Sequence, residues 1–156
     1  MSSDIRDQLS ENHRAVMAKV SALRDETDAS RCPQMLEDLR QAWLAHVLAE
    51  ETVVYRALDG PEGDTESSDN ANERLVEHEL LRCFFDRLVH TPPGTAQWFA
   101  RLDVVGKLIL RHMEQERDRL FPRLAHGFDA EDLSRLSRDF GLAYEKITLL
   151  EQAKGH

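Results

Sequence analysis

His46-Val-Leu-Ala-Glu50-Glu-Thr-Val-Val-Tyr-Arg-Ala-Leu58 and His112-Met-Glu-Gln-Glu116-Arg-Asp-Arg-Leu-Phe-Pro-Arg-Leu124 repeat one pattern. Each sets a histidine four residues before a glutamate, inside a stretch whose apolar period is helical. Four residues is a little over one turn, so both side chains leave the same helix face. A lone histidine on an apolar stripe precedes each pair: His13 stands 33 residues before His46, and His78 stands 34 before His112. The chain therefore reads as two similar halves. Each half offers one helix with a single inward histidine and one helix with His-x-x-x-Glu.

The same period extends through the rest of the chain. A first helix spans about Ser3 to Asp25 with the stripe Ile5, Leu9, His13, Val16, Val20 and Leu23. A second opens at Pro33, a residue suited to a first turn, and ends near Leu58. Its stripe is Leu36, Leu39, Trp43, His46, Glu50, Val53 and Ala57. A third covers about Asp69 to His90 through Ala71, Leu75, His78, Leu81, Phe85 and Leu88. A fourth starts after the capping candidate Thr95 and stops before Gly127, with Val105, Leu108, His112, Glu116 and Leu120 inward. A shorter fifth helix covers Glu131 to about Gln152. The acidic, Ser-rich stretch from Asp59 to Asp69 reads as a mobile loop and the place for a lid. No segment has the period of a strand. These readings predict a single all-α domain over 1–156: an antiparallel up-down four-helix bundle over about 3–126, with an additional C-terminal helix over about 130–152 on its outside or end.

Composition narrows the function. The 156 residues include 29 acidic and 20 basic side chains, for a net charge of −9. That balance argues against a nucleic-acid or anionic-membrane partner, since both need a basic face. No apolar run approaches the roughly 18 residues of a membrane helix, and the N-terminus has no signal-peptide pattern. Cys32 and Cys83 are too few and too far apart for a disulfide framework, so the expected compartment is the cytoplasm. No Ser/His/Asp triad, phosphate-cradling glycine loop or zinc ribbon is present.

The anomaly is four histidines and two glutamates on stripes that should be apolar. A buried carboxylate without a partner costs several kcal/mol or shifts its pKa until it is neutral. Lys and Arg are scarce on those stripes, so a cation between the helices is the natural offset. A single such histidine is more often a satisfied core residue, and one His-x-x-x-Glu is a common surface pair. Six such residues in register favour a metal site. Four imidazoles and two carboxylates suit iron or manganese, with zinc as an alternative. Other polar residues have plainer readings. His90 and His126 meet helix ends, and His156 is terminal. Cys83 reads as a small buried hydrophobe, and Cys32 as a linker residue. Trp43 and Trp98 read as packing residues. Arg74 and Arg82 read as solvated, with Arg74 long enough to reach the site and hold an anion.

Glu11-Asn12-His13, His46-x-x-x-Glu50-Glu51, Glu77-His78-Glu79, and His112-x-x-x-Glu116 followed by Leu120-Phe121-Pro122 together resemble the hemerythrin-like proteins, or HHE cation-binding domains. The resemblance runs from about residue 5 to 125. It implies two non-haem iron ions in a four-helix bundle. By position, His13 and His46 would bind one iron and His78 and His112 the other. Glu50 and Glu116 would bridge them beside an oxo or hydroxo group. Respiratory members carry a second histidine four residues away on the third helix, where this chain has Arg74 and Arg82. Glu73, Glu77 and Tyr55 are the replacements within reach, though helical spacing favours none of them. An open position moves the expectation from reversible O2 carriage toward reaction with, or sensing of, O2, peroxide or NO in oxidative or nitrosative stress. The alternatives are an O2-binding module and a structural helical domain holding zinc. The expected partner is a small gaseous or peroxide ligand, and no catalytic residue is assigned beyond the metal ligands.

Overall fold

The structure is a computed structural model and describes residues 4–59 and 65–154. Every regular element among the described residues is helical. α1 (Ile5–Asp25) starts because the Asp4 carboxylate accepts the Arg6 backbone N–H at 2.9 Å. It buries Ile5, Leu9, His13, Val16, Val20 and Leu23, the six residues of its sequence stripe. A 3-10 turn (Ala29–Arg31), capped by Asp28, leads into α2 (Cys32–Ala49), with Pro33 in the first turn. α2 then passes without a break into a π turn (Glu50–Tyr55) and the short α3 (Arg56–Asp59).

The second half repeats this. α4 (Thr65–Val89) is followed by α5 (Ala96–Gln115), whose Thr95 hydroxyl accepts the Trp98 N–H as the sequence led one to expect. α5 runs into a π turn (Glu116–Leu120) and α6 (Phe121–Gly127). α7 (Ala130–Lys154) closes the chain. Both π turns begin at the glutamate of a His-x-x-x-Glu pair. There the glutamate N–H is shared between two carbonyls: His46 and Val47 in one half, His112 and Met113 in the other. Local competition for backbone groups accounts for both turns. The Thr52 hydroxyl donates to the Leu48 carbonyl at 2.8 Å, and Pro122 has no N–H to give.

α1 packs on α2, α5 and α7, while α4 packs on α5 and α2. α1 and α5 approach closely at Gly106, where an added Cβ would lie 3.3 Å from Val20 Cγ1. The core forms two apolar clusters. One holds Val16, Leu39, Phe85, Trp98, Leu102 and Ile109; the other holds Ile5, Leu9, Val54, Leu124, Leu133 and Phe140. In sequence, His13 falls between the two clusters on α1, and Glu116 falls between Met113 and Leu120 on the second half. The polar residues thus form a layer between two dry regions.

Some sequence expectations need correction. The fifth helix is not shorter, for its 25 residues equal α4 in length. It lies along α2 and α1, the outside placement of the two that the sequence left open. Residues 65–69 are helical, because α4 starts at Thr65; the lid expected over Asp59–Asp69 otherwise falls on 60–64, outside the described residues. Leu75 is 54% exposed and so is not a core residue. Gly127 lies inside α6, and among the described residues only Gly94, in the turn before α5, has a positive φ, +83°. Cys83 is exposed. Cys32 is buried, and burial, with Glu26 and Asp28 nearby, pushes its thiol pKa up.

Candidate metal centre

Burial sets the chemistry. His46 and Glu50 are fully buried, and His112, Glu116 and His13 nearly so. His13 comes from α1, His46 from α2, His112 from α5, and each glutamate from the first residue of a π turn. Glu116 sets Oε2 at 2.9 Å from His13 Nε2 and Oε1 at 3.6 Å from His46 Nε2, with His112 Nε2 closer still. Glu50 sets Oε2 at 3.1 Å from His46 Nε2 and Oε1 at 3.4 Å from His112 Nε2. Each carboxylate therefore reaches imidazoles from different helices with its two oxygens. One ligand atom from each of His13, His46, Glu50 and Glu116 can be chosen so that all four lie within 4.8 Å of one another.

The atoms are near but not aligned. Among the described residues, ten buried side-chain nitrogens and oxygens lack a hydrogen-bond partner. Nine of them belong to His13, His46, Glu50, His78, His112 and Glu116; the tenth is Asn12 Oδ1. Buried polar atoms are ordinarily satisfied, so such a concentration at one point needs an occupant. Imidazole nitrogens and carboxylate oxygens gathered in one buried layer fit a cation. His78 stands at the edge of the cluster. Its ring centroid is 5.5 Å from that of His112, and its Nε2 is buried without a partner. Of the six predicted ligands, neither His78 nor His112 is part of the four-residue group.

The electrostatics follow the same geometry. Burial lowers the pKa of His46, but the charges of Glu50 and Glu116 win and raise it to about 9. Burial likewise works against His112, and Glu116 and Glu50 carry it well above the usual imidazole value. Burial and the neighbouring Glu116 raise Glu50. Glu116 is held low against its own burial, chiefly by the charge of His112. His78 is pushed down to about 3 by burial and by His112. Protons on His46 and His112 and metal cations are thus alternative ways of balancing the same two carboxylates.

Three features lay beyond the sequence reading. Trp43, read as a packing residue, stacks on His46 with ring centroids 5.8 Å apart and meets His112 edge-on at 5.0 Å. Phe140 of α7 packs on His46 at 6.0 Å, so the fifth helix forms a wall of the site. Tyr55 is 8% exposed, and burial followed by the charges of Glu50 and Glu116 raises its pKa. Of the three replacement candidates it is the buried one, since Glu73 is exposed and Glu77 half-buried. Arg74, read as solvated, is instead tied down beside the site. Its guanidinium is paired with Glu51, with Nη2 3.2 Å from Oε2, and lies 3.3 Å above the Tyr55 ring centroid. A cavity of about 80 Å³ lies beside this clasp and reaches Tyr55, His112 and Glu116.

Fold and site together define an all-helical protein with a buried imidazole–carboxylate cluster able to hold a cation. The family is the hemerythrin HHE cation-binding domain: its model matches residues 4–124, and the chain belongs to it. α7 lies beyond the match. Among curated proteins, the chain is 22% identical over 147 residues to a DNA nickase of Nostoc sp. (strain PCC 7120), covering 92% of this chain and 40% of that protein. The chain thus spans well under half of that relative's length. No solved structure matches. No helix among the described residues is long and apolar enough to cross a membrane.

Proposed function

We propose that this domain holds two iron ions and reacts with a small oxidant: O2, peroxide or NO. His13 and His46 would hold one ion and His78 and His112 the other, with Glu50 and Glu116 spanning the two, inside an antiparallel up-down four-helix bundle. The observation that carries this reading is the set of nine unpartnered buried atoms on those six residues. When bound, the metal pair supplies Lewis acidity and one-electron redox steps.

The chain's own residues do the rest. The two apolar clusters keep water from both sides of the polar layer. Trp43 and Phe140 fix the plane of the His46 ring. The Arg74–Tyr55–Glu51 clasp borders a cavity of about 80 Å³, room for a ligand of a few atoms. Arg74 and Arg82 stand where a further histidine would complete an O2 carrier, which leaves an exchangeable position. That favours reaction over reversible carriage, and a cytoplasmic role in oxidative stress fits it. The DNA-directed activity of the longer Nostoc relative is not part of this reading, because the excess of 29 acidic over 20 basic residues argues against binding to phosphates.

The test is anaerobic reduction of the iron-loaded protein followed by one equivalent of O2, monitored through the near-ultraviolet charge-transfer absorption. Rapid reoxidation that vacuum does not reverse is expected. An adduct that reverses under vacuum would establish carriage, and stoichiometric zinc without such absorption would establish a structural role.

A further inference from the structure

α7 presents two different faces. One buries Leu133, Leu136, Ser137 and Phe140 against the rest of the chain. The opposite face carries Arg138, Asp139, Leu142, Glu145, Lys146 and Leu149, all exposed. Leu142 is 67% and Leu149 60% exposed, and with Glu145, Lys146 and Leu150 they line one shallow hollow. Arg138, Asp139, Glu145 and Lys146 have no hydrogen-bond or ion-pair partner among the described residues. Exposed leucines gathered in one hollow and bordered by unpaired charges have the make-up of an interaction surface.

The charges identify that surface. At about 100° per residue, Arg138 and Glu145 fall on one flank of Leu142, and Asp139 and Lys146 on the other. Each flank carries one positive and one negative charge, so the face complements itself. In an antiparallel pair with its two-fold axis at Leu142, Arg138 stands opposite Glu145 of the second copy, and Asp139 opposite its Lys146. Symmetry doubles each pair. Leu142 packs on Leu142, and Leu149 lies along the aliphatic stem of Arg135. A parallel pair would also neutralise the charges, but it would align the two helix macrodipoles that the antiparallel pair opposes.

We propose that this face of α7 binds a second copy of the chain, antiparallel about Leu142, to form an isologous dimer. The buried side of the same helix carries Phe140 to His46, so pairing stiffens the wall behind the candidate metal centre.

Sedimentation equilibrium of the full chain tests this, at concentrations up to about 100 μM because a one-helix interface is at the small end of specific interfaces. A dimer that dissociates on dilution is expected. Leu142→Glu should give a monomer whose far-ultraviolet circular dichroism is unchanged, since the residue lies outside the core. Arg138→Glu and Glu145→Arg, each setting like charges together twice, should weaken the dimer at least about tenfold. The double variant R138E/E145R should restore it. A monomer throughout the range, or a dimer that survives Leu142→Glu, would overturn the interface. Failure of the double variant to recover would overturn the antiparallel pairing. None of these outcomes depends on metal content.

Discussion

Replacing Glu116 by alanine is expected to remove bound iron and to destabilise the fold together. This carboxylate approaches His13, His46 and His112, the imidazoles of three different helices. Its loss leaves those rings buried with one anion, Glu50, among them. Breaking a buried ion pair by removing one partner costs about 3–5 kcal/mol, because the surviving charge stays desolvated. A loss of that size is a large fraction of the stability of a domain this small. Glu116→Gln separates the two effects. It keeps the volume and part of the hydrogen-bonding capacity but cannot neutralise a cation, so it should lose iron while losing less stability than alanine. Denaturant unfolding with parallel metal analysis reads both. If Glu116→Ala retained its iron and its unfolding midpoint, the carboxylate would not span the metals.

The second large effect is on melting. Metal bound only by the folded state stabilises it by mass action, about 4 kcal/mol at a free metal concentration a thousandfold above the dissociation constant. For a domain of this size that corresponds to a fall of roughly 10 °C in melting temperature after chelation. The chelated chain is expected to stay folded, because protons on His46 and His112, whose pKa values are raised, balance Glu50 and Glu116 in place of the cations. Calorimetry before and after exhaustive chelation reads the difference. Identical melting curves would mean that no metal is bound in the folded state. Recovery on adding ferrous iron under nitrogen should be complete.

Much of this was legible in the residues, and the failures have physical causes. The α1 stripe was read correctly because a helix packed on one side shows its period directly: Ile5, Leu9, His13, Val16, Val20 and Leu23 are all buried. The inward turn of His46, Glu50, His112 and Glu116 was legible for the same reason. Tyr55 was not. It follows Glu50 by five residues, which in an α-helix points elsewhere, but i→i+5 bonding through the π turn returns it to the Glu50 side. A one-residue change of pitch is invisible to a periodicity count. Leu75 misled because its spacing fits the stripe while α4 turns it outward. The fifth helix could be recognised but not placed: nothing in its own pattern says that Phe140 meets His46. The resemblance to the HHE family, confirmed over residues 4–124, likewise ended short of it.

Metal analysis of the freshly purified, untreated chain tests the central claim most directly. The account predicts about two iron atoms per chain, as in other carboxylate-bridged sites built within helix bundles, falling well below one in Glu116→Ala. A chain that binds no transition metal even after incubation with ferrous iron would contradict it, and the nine unpartnered buried atoms would then need another explanation.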